Sequence, residues 1–300
     1  MNKIVIISGA TATGKSDIAV ELAKILNTEI ISADSMQIYR DLNIGTAKIT
    51  KDEMKNIKHH MIDVVESYEN FSVSDYRKKS IEIINNLHKI NKIPIIVGGT
   101  GLYIHSLIYD MDFCEQKSDD KLREKLNEIY KTEGCDKLYD YLYKLSPEIA
   151  NKIHKNNVKK VIRNIEILSQ NKEIQDFSNT DKSKFIYDVK LFVLNDNREN
   201  LYNKINLRVD KMFELGLEKE IDYLKSIGLK KENQSMKGIG YREFFEYDNL
   251  EIIKDKIKQN SRHYAKRQIT WFKRYDFAIK LDIFNKTKSE IIDSIVEQII

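Results

Sequence analysis

The feature that most constrains this chain is Gly9-Ala10-Thr11-Ala12-Thr13-Gly14-Lys15-Ser16, close to its start. It follows the apolar run Ile4-Val5-Ile6-Ile7 and precedes a segment carrying Ile18, Ala19, Leu22 and Leu26 at helical spacing. Strand, glycine loop and helix in that order are what a G-x-x-x-x-G-K-S phosphate loop requires. Glycine lets the backbone turn so that successive N–H groups converge, and the helix N-terminus adds partial positive charge. Lys15 supplies a mobile cation for a terminal phosphate, and the Ser16 hydroxyl is a ligand for Mg²⁺. A loop of this kind is commonly read as an ATP site.

The segments that follow repeat the strand–helix alternation. Glu29-Ile30-Ile31-Ser32-Ala33 reads as a strand that delivers Asp34-Ser35-Met36-Gln37 at its carboxyl end. Tyr39 to Lys48, with Gly45-Thr46, reads as an irregular loop, and His59 to Val65 contains a third strand. Ser72 to Leu87 has helical periodicity with Ser74 as its expected N-cap. Pro94 opens the strand Ile95-Ile96-Val97, which ends in Gly98-Gly99-Thr100-Gly101. Alternation of this kind predicts an α/β fold, a phosphate-loop parallel sheet flanked by helices. Ligands of such sheets sit outside the carboxyl ends of the strands. The phosphate loop, the Asp34 turn and the Gly98 turn all fall at such ends, which predicts one cleft.

The pattern changes after Asp112. From Asp119 to Gln170 it is helical throughout, with stripes at Leu122, Leu126 and Ile129, at Leu138, Leu142 and Leu145, and at Val158, Ile162, Ile165 and Leu168. Ser146-Pro147 reads as a helix start. A polar stretch, Asn171 to Lys184, follows, and strand character resumes over Phe185–Val193. We read residues 113–185 as an all-helical insertion in a core formed by 1–112 and 186–300. Asp196 and Glu199 suggest a capping box at the next helix. That helix carries Leu201, Ile205, Val209 and Met212, and a later one near Leu250–Arg274 is rich in Lys and Arg.

Composition narrows the function classes. The net charge is only +4, so charge distribution matters more than the total. Cys114 and Cys135 form no C-x-x-C pair, which argues against a zinc site or disulfide framework and suits a reducing compartment. Met1-Asn2-Lys3 runs straight into a strand, and no apolar run is long enough to span a bilayer. The expected location is the cytoplasm.

Several residues are candidates for chemistry. Asp34, beside a phosphate site, reads as a base, as a water-mediated Mg²⁺ anchor, or as a turn residue holding backbone N–H groups. Ser35 and Gln37 could bond a base edge or simply finish that turn. Thr100 reads as a substrate-positioning hydroxyl or a helix cap. Arg208 lies beside the apolar stripe of its helix, and reads either as a cation for an anionic leaving group or as the solvated edge of the helix. Lys152, Lys155, Lys159, Lys160 and Arg163 cluster in the insertion. With the basic helix, they read either as solvated faces or, flanking a phosphate cleft, as the electrostatic footprint that nucleic acid needs.

Taken together, the motifs resemble one family, the tRNA dimethylallyltransferases (tRNA isopentenyltransferases) of bacterial type. The resemblance rests on Gly9–Ser16, Ser32-Ala33-Asp34-Ser35-Met36-Gln37-Ile38-Tyr39, Asn43-Ile44-Gly45-Thr46-Ala47-Lys48 and His59-His60-Met61-Ile62-Asp63. It continues through Val97–Tyr103, Arg163-Asn164-Ile165-Glu166, Gly238–Glu243 and Ala265–Trp271, and so covers nearly the whole chain. It implies transfer of a dimethylallyl group from its diphosphate to N6 of the adenosine 3′ of the anticodon, with Mg²⁺ as cofactor. By the same resemblance, Gly9, Ala10, Thr11, Ala12, Thr13, Gly14, Lys15 and Ser16 hold the diphosphate. Asp34, Thr100 and Arg208 form the catalytic centre. Ser35, Met36 and Gln37, with Asp34 and Thr100, face the extruded nucleotide. Arg123, Lys159, Lys160 and Arg163 touch the anticodon stem-loop, with Lys160 standing where the family commonly has Arg. The expected enzyme is a monomer with tRNA and dimethylallyl diphosphate as its partners and no membrane association. Three other readings share parts of this pattern: an isopentenyltransferase of free adenine nucleotides, a phosphate-loop small-molecule kinase, and a non-catalytic RNA-binding or GTPase-like switch module.

Overall fold

The run Ile4–Ile7 is fully buried, and it forms the middle of a sheet because nothing in it needs water. In the computed structural model, which describes residues 2–110, 120–170, 174 and 184–299, this run lies in β1 (Lys3–Gly9). β1 pairs in parallel with β4 (Ile95–Val97) on one side and β5 (Asp188–Asn195) on the other, with Ile7 opposite both Val97 and Phe192. β2 (Ile30–Ser32) and β3 (His59–His60) extend the sheet beyond β4, and β6 (Ile279–Asp282) extends it beyond β5. The order is β3-β2-β4-β1-β5-β6, parallel throughout. Its inner strands are buried on both faces, as a sheet covered by helices on both sides requires.

The chain divides into two compact units, Met1–Met111 with Asp181–Ile300, and Asp112–Thr180. In the first, α1 (Lys15–Ile25) and α12 (Lys288–Val296) cover one region of the sheet, Ile18, Ala19 and Leu22 packing with Ile291, Ile292 and Ile295. α3 (Val73–Lys89) and α4 (Gly101–Ile108) pack together through Tyr76 stacked on Tyr103, centroids 3.9 Å apart. α8 (Arg198–Glu214) and α11 (Leu250–Phe272) share a cluster with Ala10 of the phosphate loop, through Leu201, Ile205 and Ala265. The two points where the chain leaves and re-enters this unit are adjacent. Tyr109 and Phe185 form an antiparallel bridge, with Ile186 N–H donating to Ile108 O.

The second unit contains α5 (Asp120–Leu145), broken at Gly134, then α6 (Pro147–Ala150) and α7 (Val158–Ser169). Leu126, Leu138, Leu142, Val161, Ile162 and Ile165 are its core. Ser146 caps α6 as the sequence predicts.

Three local expectations are corrected. Ser72 rather than Ser74 caps α3, because Ser72 and Asp75 exchange bonds reciprocally, at 3.2 and 2.9 Å. Ser74 has Arg77 three residues on, which cannot return such a bond and donates instead to Ser106 O at 2.9 Å. Asn197 rather than Asp196 caps α8, accepting from Glu199 N and Asn200 N. The Asp196 side chain, fully buried, takes the Lys204 ammonium at 2.8 Å. β5 begins at Asp188, because Phe185 is used in the bridge to Tyr109. Met1, Cys114, Asp119 and most of Asn171–Lys184 lie outside the described residues. Among the described residues, no helix is long and apolar enough to cross a membrane.

Candidate active site

The carboxyl edge of the sheet holds the three turns together. Ser8 Oγ donates to Gly98 O at 2.8 Å, Ala33 N to Val97 O at 2.7 Å, and Thr100 N to Ala33 O at 3.1 Å. The approach is so close that a Cβ on Gly98 would overlap the Ala33 carbonyl, so only glycine fits there.

In the phosphate loop, Thr13 Oγ1 and Lys15 Nζ both donate to Ala10 O, at 2.9 and 2.6 Å. Burial pushes the Lys15 ammonium down to about 7, Arg208 adds to this, and Asp34 opposes it. The Asp34 carboxylate divides its work. Oδ1 accepts from Met36 N at 2.8 Å and Gln37 N at 3.2 Å, while Oδ2 accepts no hydrogen bond among the described residues. Oδ1 therefore does what the turn reading expects. Thr100 precedes α4 but does not cap it with its side chain. Its Oγ1 accepts from Ser35 N at 3.1 Å and donates to Ser35 Oγ at 3.4 Å.

Arg208 points inward and does not form the solvated edge of its helix. Nη1 donates to Thr11 Oγ1 at 3.0 Å and Nη2 to Thr46 O at 3.1 Å. Burial lowers its pKa and Asp34 opposes the shift. Gln37 Nε2 reaches the same loop, donating to Thr46 O and Ala47 O at 3.2 and 3.3 Å.

Two cavities open at this edge. The smaller, about 150 Å³, is lined by Lys15, Ser16, Asp34, Gly98, Gly99 and Arg208 among others. The larger, about 290 Å³, has Ser35, Met36, Ile205 and Met212 in its walls, with Lys237, Arg242 and Arg267. Thr11, Asp34, Arg208 and Tyr264 line both. A pocket at the phosphate-loop motif, with Lys15 and Arg208 in its lining, thus adjoins a wider one, and the Asp34 carboxylate lines both. Such a pair of pockets suits transfer of a group from a phosphate ester to a second molecule.

The family model described as IPP transferase matches residues 37–275. The chain belongs to the IPP transferase family. It is 46% identical over 283 residues to the tRNA dimethylallyltransferase of Caldanaerobacter subterraneus subsp. tengcongensis, covering 92% of this chain and 90% of that protein. It is 44% identical over 298 residues to that of Clostridioides difficile, covering 96% of each. Among solved structures, the tRNA isopentenylpyrophosphate transferase of Bacillus halodurans matches with TM-score 0.75 and 38% identity, over 100% of this chain and 96% of that one. A eukaryotic dimethylallyltransferase described as acting on tRNA matches with TM-score 0.80 and 29% identity, over 99% of this chain and 77% of that one.

Two side chains at this edge escaped the sequence reading of single residues. Gln268 of α11 accepts from Thr11 N at 2.8 Å and donates to Gly99 O at 3.0 Å, tying the phosphate loop to the Gly98 turn. Tyr264, one turn earlier, has its hydroxyl pushed up to about 12 by burial and by Asp34, with Thr100 and Gln268 bonding against the shift. The available signal was a pair of polar residues at i and i+4 on a helix face that also carries buried Ala265 and Phe272.

Part of the basic helix's charge is paired within its own unit. Lys254 and Lys258 both pair with Asp210, at 2.8 and 2.7 Å, and Arg262 donates to Asn206 at 2.6 Å. In the helical unit, Arg123 Nη2 donates to Glu166 Oε2 at 3.0 Å and its Nε lies 2.9 Å from Oε1, while Arg163 reaches the same carboxylate at 3.4 Å. Glu166 is only 1% exposed, while Lys159 and Lys160 project into solvent from the first turn of α7.

The donor set of the small cavity fits Mg²⁺. Ser16 and Asp34 offer one hydroxyl and one carboxylate, and no cluster of three or more His, Cys, Asp or Glu stands ready for a metal among the described residues. Mg²⁺ prefers few protein ligands and completes its shell with phosphate oxygens and water.

Proposed function

We infer that this chain is a prenyltransferase that moves a dimethylallyl group from dimethylallyl diphosphate to N6 of the adenosine just 3′ of the anticodon in tRNA, releasing diphosphate. The observation that carries this reading is the junction of the two cavities at Asp34, Arg208, Thr11 and Tyr264. The named relatives supply the substrate class, and the family match runs through the helical unit as well as the core.

In this reading the diphosphate occupies the smaller cavity and the acceptor base the larger. The adenine amine is a weak nucleophile, because its lone pair is delocalised into the ring. Asp34 takes the N6 proton on Oδ2 as nitrogen attacks the allylic carbon, while Met36 N and Gln37 N hold Oδ1 still. The carbon–oxygen bond breaks and its electron pair leaves with the diphosphate. Lys15, Arg208 and the loop N–H groups stabilise the charge that grows there. Mg²⁺, held by Ser16, would add further charge neutralisation on the diphosphate. Thr100 orders the Ser35–Gln37 turn that faces the base. The base leaves its stack to enter the cavity, and Arg123, Lys159, Lys160 and Arg163 grip the anticodon stem-loop from which it comes.

The direct test is incubation with dimethylallyl diphosphate and unmodified tRNA, followed by nucleoside mass analysis. A dimethylallyl adduct on adenosine from the anticodon loop is expected. Modification of free AMP, ADP or ATP with tRNA untouched would overturn the reading in favour of a free-nucleotide enzyme.

A further inference from the structure

Arg208 and Gln37 have one partner in common. Both donate to the carbonyl oxygen of Thr46, at 3.1 and 3.2 Å, and Gln37 also reaches Ala47 O. The first lines both cavities, and the second lines the smaller. The position of the 43–47 loop therefore decides where a cation and an amide of the site stand.

That loop has no regular structure of its own to fix it. It is held instead by a carboxylate from α9 (Leu217–Ser226). Glu220 Oε2 accepts from Asn43 N at 3.0 Å and Ile44 N at 2.7 Å, and Oε1 accepts from Gly45 N at 3.1 Å and from the Tyr241 hydroxyl at 2.7 Å. Three successive backbone N–H groups converging on one anion form a nest. Tyr241 is fully buried, and its ring lies where a Cβ on Gly45 would have to be. Its hydroxyl is held well above its ordinary pKa by burial and by the Glu220 charge, so it remains a donor. All four donors are neutral, which makes each bond to the carboxylate charge-assisted and directional.

We propose that Glu220 is a positioning residue for the transfer reaction: its carboxylate fixes the 43–47 loop so that the Thr46 carbonyl holds Arg208 at the leaving group. The proposal rests on the transferase reading for its kinetic consequence, but its structural content concerns Arg208 alone. An isosteric amide breaks the arrangement without removing bulk. Glu220→Gln keeps an oxygen for two N–H groups but places an NH₂ against Gly45 N–H, donor against donor. The loop is then free to shift, and a displacement of about 1 Å at a catalytic group can cost on the order of a hundredfold in rate.

The test is a double-mutant cycle between Glu220→Gln and Arg208→Ala, read by pyrophosphate affinity in calorimetry and by single-turnover transfer to tRNA. Alone, Glu220→Gln should weaken pyrophosphate and slow transfer by about tenfold or more; in the Arg208→Ala background it should cost less than about threefold, because coupled residues are not additive. Tyr241→Phe removes one of the four donors, and should give a smaller loss that also vanishes without Arg208. That variant carries the test if Glu220→Gln does not fold. Equal losses in both backgrounds, or a Glu220→Gln protein matching the parent, would overturn the proposal. If the parent modifies no tRNA, the transferase reading fails, and the pyrophosphate cycle still decides the role of Glu220.

Discussion

The two units of this chain keep their candidate cations in opposite states. In the α/β unit, Lys15 and Arg208 bond only neutral oxygens among the described residues, those of Ala10, Thr11 and Thr46, and burial works against the charge on both. In the helical unit, Arg123 and Arg163 are each 41% exposed and share the buried Glu166 carboxylate. A desolvated cation without an ion-pair partner gains most when an anion arrives, because the interaction replaces an unfavourable state in a medium of low dielectric. A paired, half-exposed arginine gains less and is screened by salt. The first arrangement suits tight, local stabilisation of a leaving diphosphate. The second suits a broad, oriented grip on a nucleic-acid backbone.

The comparison can be broken in several places. The largest effect is expected at the carboxylate between the α/β cations. Asp34→Asn should transfer at least about a hundredfold more slowly while binding tRNA nearly as well as the parent, the usual scale for a lost general base. Single-turnover rates at saturating substrates check this, and a variant within about threefold of parent would remove Asp34 as base.

An effect of comparable size is expected at the cations themselves. Arg208→Ala and Lys15→Ala should each raise the barrier by on the order of 3 kcal/mol and weaken diphosphate, with tRNA affinity almost untouched. Should either change lower tRNA affinity as much as turnover, the division between the two units would fail.

In the helical unit the effect should be moderate and salt-dependent. Replacing Arg123, Lys159, Lys160 and Arg163 together with Gln should weaken binding of an anticodon stem-loop. It should also flatten the salt dependence by roughly 0.7 to 0.9 in log–log slope for each phosphate that is no longer neutralised. Affinities of parent and variant at three salt concentrations measure this, while pyrophosphate affinity serves as the internal control and should not move. Identical slopes would take the insertion out of RNA recognition.

The smallest expected signal is a proton. Burial holds Lys15 at about 7 in the free site, so at about pH 8 it is mostly uncharged there. An arriving diphosphate favours the ammonium and raises its pKa, so binding takes up a proton and affinity falls as pH rises above 7. Calorimetry in two buffers of different ionisation enthalpy at about pH 8 should show the parent taking up as much as about one proton more than Lys15→Met. Equal uptake would mean that Lys15 is charged before the anion arrives.

The sequence by itself determined the parts whose chemistry is local. A phosphate loop between an apolar strand and an amphipathic helix leaves little choice of fold. The turns after Ser32 and Val97 are set by short apolar runs that can only be buried strands. Asp34, Thr100 and Arg208 were legible as candidates because each stands at a strand end or beside an apolar stripe. Their choice of role was not legible. Arg208 reads equally well as a solvated edge until α8 packs on α11 and turns it toward Thr11 and Thr46. Cap positions one or two residues apart, as at Ser72 and Asn197, depend on which side chain can exchange bonds with its own first turn. Gln268, Tyr264 and Glu220 belong to the site through partners far along the chain, such as Thr11 for Gln268 and Asn43 for Glu220. Periodicity reports which face of a helix is buried, but the identity of what lies against that face is set by residues distant in sequence. Only the tertiary structure decides it, because a polar side chain gains a role there by satisfying a backbone group that no local element can reach.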